Sequence, residues 1–196
     1  MRRSPAGSVS IPVAGTALFL IDVINDLDFN DSGVLVAQAQ PMAVRLSVLK
    51  RRATAEGVPC VYVNDNFGQW RSDFRQTVAH CTSRSSPGRR VSRRLRPTKK
   101  DYFVLKPKHS GFFSTTLDTL LEYLRASTLI LTGLTADNCV LFTASDAYLR
   151  DFQLVVPPDC VASIEREHTQ QALEHMRRVL KAELTPSTAL ELSRAA

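Results

Sequence analysis

Three side chains that together support nucleophilic catalysis follow apolar runs in this 196-residue sequence. Asp22 comes directly after five apolar residues, Lys106 after four apolar or aromatic residues, and Cys139 a short turn beyond a third apolar run. A carboxylate can accept the proton of a thiol, a lysine favours the charged forms of both, and a thiolate attacks carbonyl carbon. If the three runs are neighbouring strands, the sequence predicts a nucleophilic site at their ends.

Each of the three residues also has an ordinary structural explanation. An Asp that follows a strand often caps a turn, and most cysteines without a partner are buried core residues. Lys108 stands two residues after Lys106, and nothing in the local pattern separates the two lysines. The signal is therefore the combination of residue types at three strand ends.

The segment around Cys139 favours a reactive thiol over a structural one. Gly133 breaks the apolar run, and Asp137 is a suitable N-cap for the helical pattern that follows. Cys139 would then lie in the first helical turn, where unpaired N–H groups and the helix dipole stabilise negative charge. We therefore expect the pKa of its thiol to lie below the ordinary value.

Apolar runs alternate with helical patterns along the chain. This alternation predicts an α/β fold with a doubly wound, Rossmann-like parallel sheet and helices on both faces. In such a sheet, ligands bind beyond the carboxyl ends of the strands. The predicted strands are residues 17–21, 58–63, 102–105, 128–131, 153–156 and an edge strand at 183–185, and the predicted helices include residues 36–56, 72–79, 114–125 and 165–181.

Length and composition predict a single domain over residues 11–196, preceded by a loose tail over residues 1–10. No apolar run approaches the length of a membrane-spanning helix, and the arginines near the start are not followed by the apolar segment of a signal peptide. The four cysteines form no CxxC pair, so we expect reduced thiols and a cytoplasmic location.

The formal net charge of +6 comes from one segment. Residues 84–100 hold eight of the 25 basic residues and no acidic residue, which leaves 17 basic against 19 acidic residues elsewhere. Such a segment suits nucleic acid, an anionic substrate or an acidic neighbour. Because no aromatic residues are interleaved with the basic ones, the nucleic-acid interpretation is the weaker.

Three segments together resemble the motifs of the isochorismatase-like cysteine hydrolases. The first-strand motif, an apolar run followed by Asp and a polar turn, is matched by LFLIDVINDL. The lysine motif, with its lysine four residues before a Ser-Ala-Phe-like triplet, is matched by LKPKHSGFFSTTLDTLL, a register that selects Lys106 over Lys108. The nucleophile motif, with glycine six residues before cysteine, is matched by LILTGLTADNCVLFTASDAYLRD.

The resemblance implies a six-stranded parallel sheet and a catalytic triad of Asp22, Lys106 and Cys139. It also implies a cis peptide bond between Leu134 and Thr135, with the backbone N–H groups of Thr135 and Cys139 forming an oxyanion hole. The implied reaction is hydrolysis of a C–N bond in a small amide, ureide or carbamoyl compound through a covalent thioester. Members of the family are often dimers or tetramers, so a homo-oligomer is expected.

Pocket residues and departures from the family pattern complete these expectations. Asn25, Trp70 and Phe112 are candidates for the substrate pocket, although core packing explains Trp70 and Phe112 equally well. The order Thr135-Ala136 reverses the usual small residue followed by Thr.

The family's metal-dependent nicotinamidases carry Asp-x-His and a further His after the second strand. This chain has Asn64-Asp65-Asn66-Phe67 there, so neither a metal nor another cofactor is expected. Isochorismatases proper lack the cysteine, so vinyl-ether hydrolysis is not expected either.

Two other classes of function stay open from the sequence. One is a non-catalytic or regulatory protein that keeps the fold without turnover, for which the reversed Thr135-Ala136 order leaves room. The other is a nucleic-acid-binding protein that acts through residues 84–100.

Overall fold

A computed structural model describes residues 2–3, 8–30, 32–68 and 73–194 of the chain. The strands in these residues are β1 Arg2–Arg3, β2 Val9–Pro12, β3 Thr16–Ile21, β4 Cys60–Asp65, β5 Tyr102–Lys106, β6 Thr128–Leu134, β7 Gln153–Val155, β8 Val161–Ala162 and β9 Leu190–Ser193. The α-helices are α1 Ser32–Glu56, α2 Phe74–Cys81, α3 Arg89–Arg94, α4 Leu117–Tyr123, α5 Leu141–Tyr148 and α6 Arg166–Arg178.

The central sheet has six parallel strands in the order β5-β4-β3-β6-β7, with β8 pairing to the end of β6. Every residue of β3 is buried, because both faces of this strand are covered. Leu18 and Leu20 pack in the core on one face, and Phe19 and Ile21 pack in the core on the other.

Helices cover both faces of this sheet. Buried side chains of α1, α2 and α3 join one core, and those of α4, α5 and α6 join the other. The arrangement confirms the predicted doubly wound α/β fold. It also places the carboxyl ends of all six strands at one edge, because parallel strands end on the same side.

The predicted edge strand at residues 183–185 is wrong. Glu183 makes only an isolated parallel bridge to Val155, and the run then meets Pro186, which has no N–H to continue a ladder. The sixth strand is β8 instead, a pairing of two residues with β6 that follows a short 3₁₀ turn at Pro158–Cys160. So short a segment carries no periodic signal.

The N-terminal side of the chain is more ordered than predicted. Strand β2 pairs in parallel with β9 and antiparallel with β1, and together they form a second, three-stranded sheet. Val9 and Ile11 are buried in the main core. The loose tail predicted over residues 1–10 is therefore wrong for residues 9–10, because alternate apolar side chains anchor them.

The basic segment 84–100 contains a helix where only a loop was expected. Helix α3 buries Val91 on the same core as α1, and Leu95 follows it there. Ser92 is buried beside Val91, and four arginines occupy the remaining positions. This amphipathic spacing was hidden in the sequence by the charge of the segment.

Gly133 lies in the last residue pair between β3 and β6. It pairs with Ile21 across the two strands and has a φ of +114°. A Cβ atom at this position would lie 2.0 Å from the carbonyl oxygen of Ile21. Only glycine fits, because the backbone itself would have to move to admit any side chain.

We expect Gly133→Ala to destabilise the protein by at least about 3 kcal/mol, since it adds a backbone collision to an unfavourable φ. Gly57→Ala is the matched control, because Gly57 has a φ of +85° but a Cβ added there would meet no atom within 4 Å. It should cost only about 1–2 kcal/mol. Urea unfolding of both variants makes the comparison, and equal losses would show that close approach is unimportant.

Candidate active site

The candidate site lies at the switch point of the sheet. From β3 the chain crosses to β4 and β5 on one side, and it then returns to place β6 on the other side of β3. Asp22 follows β3 directly, Lys106 is the last residue of β5, and Cys139 stands in the turn after β6. Ligand sites of open α/β sheets form at such a point.

The structure brings these three predicted residues together. Lys106 Nζ lies 2.8 Å from Asp22 Oδ2 and donates to Cys139 Sγ at 3.4 Å. Lys106 is fully buried and Asp22 nearly so, whereas Cys139 is half-buried. The sulfur is therefore the member of the cluster that solvent and a substrate can reach most easily.

The backbone orients the Asp22 carboxylate toward the lysine. Asp22 has a φ of +49°, a conformation that Asp tolerates better than most residues, and its N–H donates to the Val63 carbonyl. Its Oδ1 accepts a hydrogen bond of 2.7 Å from the backbone N–H of Asp65. With one oxygen held by β4, the other oxygen faces Lys106.

Asp65 is a residue that the sequence reasoning missed. Its carboxylate lies 3.7 Å from Lys106 Nζ, and its N–H holds Asp22 as described above. Asp65 is the last residue of β4. The rule that selected Asp22 and Lys106, a charged residue at the carboxyl end of a strand, would have found it as well.

The turn that carries Cys139 is a single π-helical turn, Ala136–Val140, ahead of α5. The peptide bond between Leu134 and Thr135 is cis, as the resemblance implied. The Val140 N–H closes the wide turn on the Thr135 carbonyl at 3.1 Å. Cys139 is thus presented one turn before α5 begins, next to the ends of β3 and β5.

Asp137 is not the N-cap that the sequence predicted. The residue preceding the turn is Thr135, and Asp137 lies inside the turn. Its Oδ1 accepts the Ser163 hydroxyl at 2.6 Å, and the same hydroxyl accepts the Asp137 N–H at 3.3 Å. Ser163 is fully buried, so it ties the nucleophile turn to the segment that follows β8.

The triplet after the lysine fixes the distance between Lys106 and Cys139. The Ser110 hydroxyl donates to Asp146 at 2.5 Å, and the Gly111 N–H donates to the Thr143 hydroxyl. Thr143 in turn donates to the Cys139 carbonyl at 2.7 Å. The loop after β5 is therefore bonded to α5, the helix that follows the nucleophile.

The three residues predicted to line the substrate pocket have different surroundings. Phe112 is buried in the core with its ring 4.5 Å from the Arg150 guanidinium, so it packs rather than lines a pocket. Asn25 is half-buried, and its side-chain oxygen accepts the Leu27 N–H at 2.8 Å, which leaves it a role in the loop after Asp22. Trp70 lies outside the described residues.

An unpartnered acceptor lies beside Cys139 in the sequence. The side-chain oxygen of Asn138 is buried, and no hydrogen-bond partner for it occurs among the described residues. Buried oxygens without a donor are uncommon in proteins and are frequently satisfied by a ligand or an ordered water.

Burial dominates the ionisation of the cluster. It raises the pKa of the Cys139 thiol to about 12, the Asp22 charge adds to this, and Lys106 opposes it. The lowered pKa expected from a helix N-terminus is therefore wrong, because desolvation and a neighbouring carboxylate outweigh that effect. Burial likewise raises the pKa of Asp22 against the pull of Lys106. Burial lowers the pKa of Lys106, but Asp22 and Cys139 raise it by more.

Two further features concern the described part of the chain as a whole. No group of three or more His, Cys, Asp or Glu side chains there is arranged to hold a metal ion. None of the helices in that part is both long and apolar enough to cross a membrane.

Comparisons with known proteins agree with this geometry. The protein YaaI of Bacillus subtilis, described as an uncharacterized isochorismatase family protein, is 37% identical over 172 residues, covering 88% of this chain and 94% of the relative. The ureidoacrylate amidohydrolase RutB of Serratia proteamaculans is 25% identical, covering 87% of this chain and 84% of the relative.

A similar solved structure is the N-carbamoylsarcosine amidase of Thermoplasma acidophilum. It is 28% identical with a TM-score of 0.66, covering 88% of this chain and 96% of that one. The family model described as the isochorismatase domain matches residues 16–188. This range includes all three residues of the site, and the chain belongs to the isochorismatase family of hydrolases.

Proposed function

We propose that the protein is a cysteine hydrolase that cleaves a C–N bond in a small amide, ureide or carbamoyl compound. The observation that carries the proposal is the buried ammonium of Lys106, 2.8 Å from Asp22 and 3.4 Å from Cys139. A base, a cation and a nucleophile in mutual contact are what acyl transfer requires.

In the first half-reaction, the Asp22 carboxylate takes the thiol proton as Cys139 Sγ bonds to the substrate carbonyl carbon. The raised pKa of Asp22 suits a base for this step, because its proton affinity is closer to that of the thiol. Lys106 stabilises the negative charge that develops on sulfur. The backbone N–H groups of Thr135 and Cys139 are assigned to the oxyanion.

The C–N bond then breaks, and Asp22 returns its proton to the departing amine or ammonia. This leaves a thioester on Cys139. In the second half-reaction, water attacks the thioester while Asp22 accepts a proton from it. The C–S bond breaks, the acid product leaves, and the proton on Asp22 returns to the sulfur.

The substrate class rests on the chemistry of the site and on the named relatives. The ureidoacrylate amidohydrolase and the N-carbamoylsarcosine amidase are named for a ureide and an N-carbamoyl compound. The buried oxygen of Asn138, one residue before the nucleophile, suits an N–H group of such a substrate. A screen of small amides, ureides and carbamoyl compounds, monitored by ammonia release, identifies the substrate.

Substitutions within the cluster should show that it acts as a unit. With a substrate from the screen, Cys139→Ala should abolish turnover, and Asp22→Asn or Lys106→Ala should each lower kcat by roughly 10²- to 10⁴-fold. The double variant, with Asp22→Asn and Lys106→Ala together, should lower kcat little more than either single change, because each change disables the same step. Single-turnover rates provide the measurement, and Cys160→Ala, a buried cysteine outside the cluster, is the control.

Retention of activity by Cys139→Ala, or multiplicative losses in the double variant, would contradict the proposal. Mass spectrometry adds a direct test. An acyl adduct trapped by rapid acid quenching should map to the peptide that contains Cys139.

The pH dependence of alkylation should report the raised thiol pKa. Iodoacetamide should label Cys139 before the three buried cysteines, and its rate should keep rising through pH 9 because the thiolate is scarce below its pKa of about 12. Asp22→Asn should speed labelling at pH 8, since it removes a negative charge that raises this pKa.

Asp65→Asn is the matched control for that experiment, because Asp65 contacts Lys106 but is not a cause of the raised thiol pKa. Its labelling rate should stay close to that of the unaltered protein. A labelling profile that levels off near neutral pH would mean that Cys139 rests as a thiolate. Slower labelling in Asp22→Asn would also contradict the assignment.

We further expect turnover to survive exhaustive treatment with EDTA. Where metal-dependent members of the family have histidine, this chain has Asn66 and Phe67, and the carboxylate of Asp65 faces the Lys106 ammonium. Ammonia release before and after chelation is the measurement. A loss of rate that zinc, iron or manganese restores would overturn the expectation.

A further inference from the structure

A groove of about 550 Å³ lies between α1 and α3, in a part of the surface that shares no residue with the cluster at the strand ends. Among the described residues, no acidic side chain lines it. Five arginines do, one from α1 and four from α3: Arg51, Arg89, Arg90, Arg93 and Arg94. From this groove we infer a second binding site, specific for a small molecule that carries phosphate groups.

The arginines of the groove have no anionic partner of their own. Within the described residues, none of the five side chains makes a salt bridge or a side-chain hydrogen bond. Guanidinium groups stay charged at any physiological pH, so five of them around one groove repel each other. A multivalent anion removes this repulsion and accepts paired N–H bonds from the planar groups.

Arg89 gives an independent sign of a missing ligand. Its Nε belongs to a charged guanidinium group. This atom is buried and lacks a hydrogen-bond partner among the described residues. A buried donor left unpaired costs free energy. Because Arg89 lines the groove, a small shift of its side chain would let an anionic oxygen there accept this N–H.

The groove is built on fixed elements. The Gly88 N–H donates to the Asp26 carbonyl at 2.6 Å, and a Cβ at Gly88 would lie 2.2 Å from the Asn25 carbonyl oxygen, so α3 begins tightly against the loop after β3. The Ser92 hydroxyl bonds to the backbone of Asn25 from both directions, accepting its N–H and donating to its carbonyl. Helix α3 is therefore held in place, as a preformed site requires.

The size and lining of the groove define the ligand. A volume of about 550 Å³ is within the range of small-molecule sites. Ala43, Val44 and Val91 add apolar surface, and Gln40 and Ser47 add neutral hydrogen-bonding groups. The arrangement fits a phosphate ester or diphosphate attached to an apolar or planar group.

Inorganic pyrophosphate is the probe for the test, titrated calorimetrically into the intact protein at low salt. We expect one site per chain, with affinity that falls as salt rises. The combined change Arg90→Gln, Arg93→Gln and Arg94→Gln should weaken binding by at least about tenfold, since it removes three charge-assisted contacts. Arg89→Lys keeps the charge but removes the buried Nε–H, and it should weaken binding without lowering the unfolding temperature.

A second triple variant controls for overall charge. Arg75, Arg96 and Lys99 line a different depression. Replacing these three with Gln removes the same charge and should leave pyrophosphate binding within about twofold. Equal weakening of pyrophosphate binding in both triple variants would show that only the overall positive charge attracts the anion, and it would overturn the proposed site.

Two other results would also overturn it. One is the absence of any saturable heat at millimolar pyrophosphate. The other is a short DNA duplex that binds more tightly than pyrophosphate and displaces it. Because calorimetry needs no turnover, failure here is separate from failure of the proposed hydrolase activity.

Discussion

The ion pair between Lys106 and Asp22 is the interaction on which the rest of the site depends. A fully buried ammonium is tolerated only where charges and hydrogen bonds compensate its lost hydration. Asp22, Asp65 and Cys139 supply that compensation, and they come from the ends of three other strands. The strand order therefore brings the cluster together, because β4 and β3 follow β5 in the sheet and carry Asp65 and Asp22 at their ends.

The same burial decides how the thiol is activated. A helix N-terminus lowers the pKa of a cysteine, but partial burial and the neighbouring Asp22 carboxylate raise the pKa of the Cys139 thiol. The carboxylate has its own proton affinity raised for the same reason. In the proposed mechanism, these two shifts bring the proton affinities of the thiol and the carboxylate closer together, which favours transfer of the proton as the substrate is attacked.

Much of this could be predicted from the sequence, because apolar runs and the residues that end them are local signals. Asp22, Lys106 and Cys139 were identifiable in that way, and the family motifs resolved the choice between Lys106 and Lys108. What escaped prediction depends on contacts distant in the chain. Strand β8 is defined by its pairing with β6. Phe112 packs in the core against Arg150 and Phe152. The thiol pKa depends on burial, which no single segment reveals.

The pairing of β2 with β9 has a consequence for how the chain acquires its structure during synthesis. Residues 9–12 are synthesised about 180 residues before their parallel partners at 190–193. At typical elongation rates this delay is roughly 10 to 40 s, far longer than local folding takes. Val9 and Ile11 lack their β9 partners throughout that time. The small sheet can therefore form only after residues 190–193 have been synthesised, and until then the apolar residues of β2 remain available for wrong contacts.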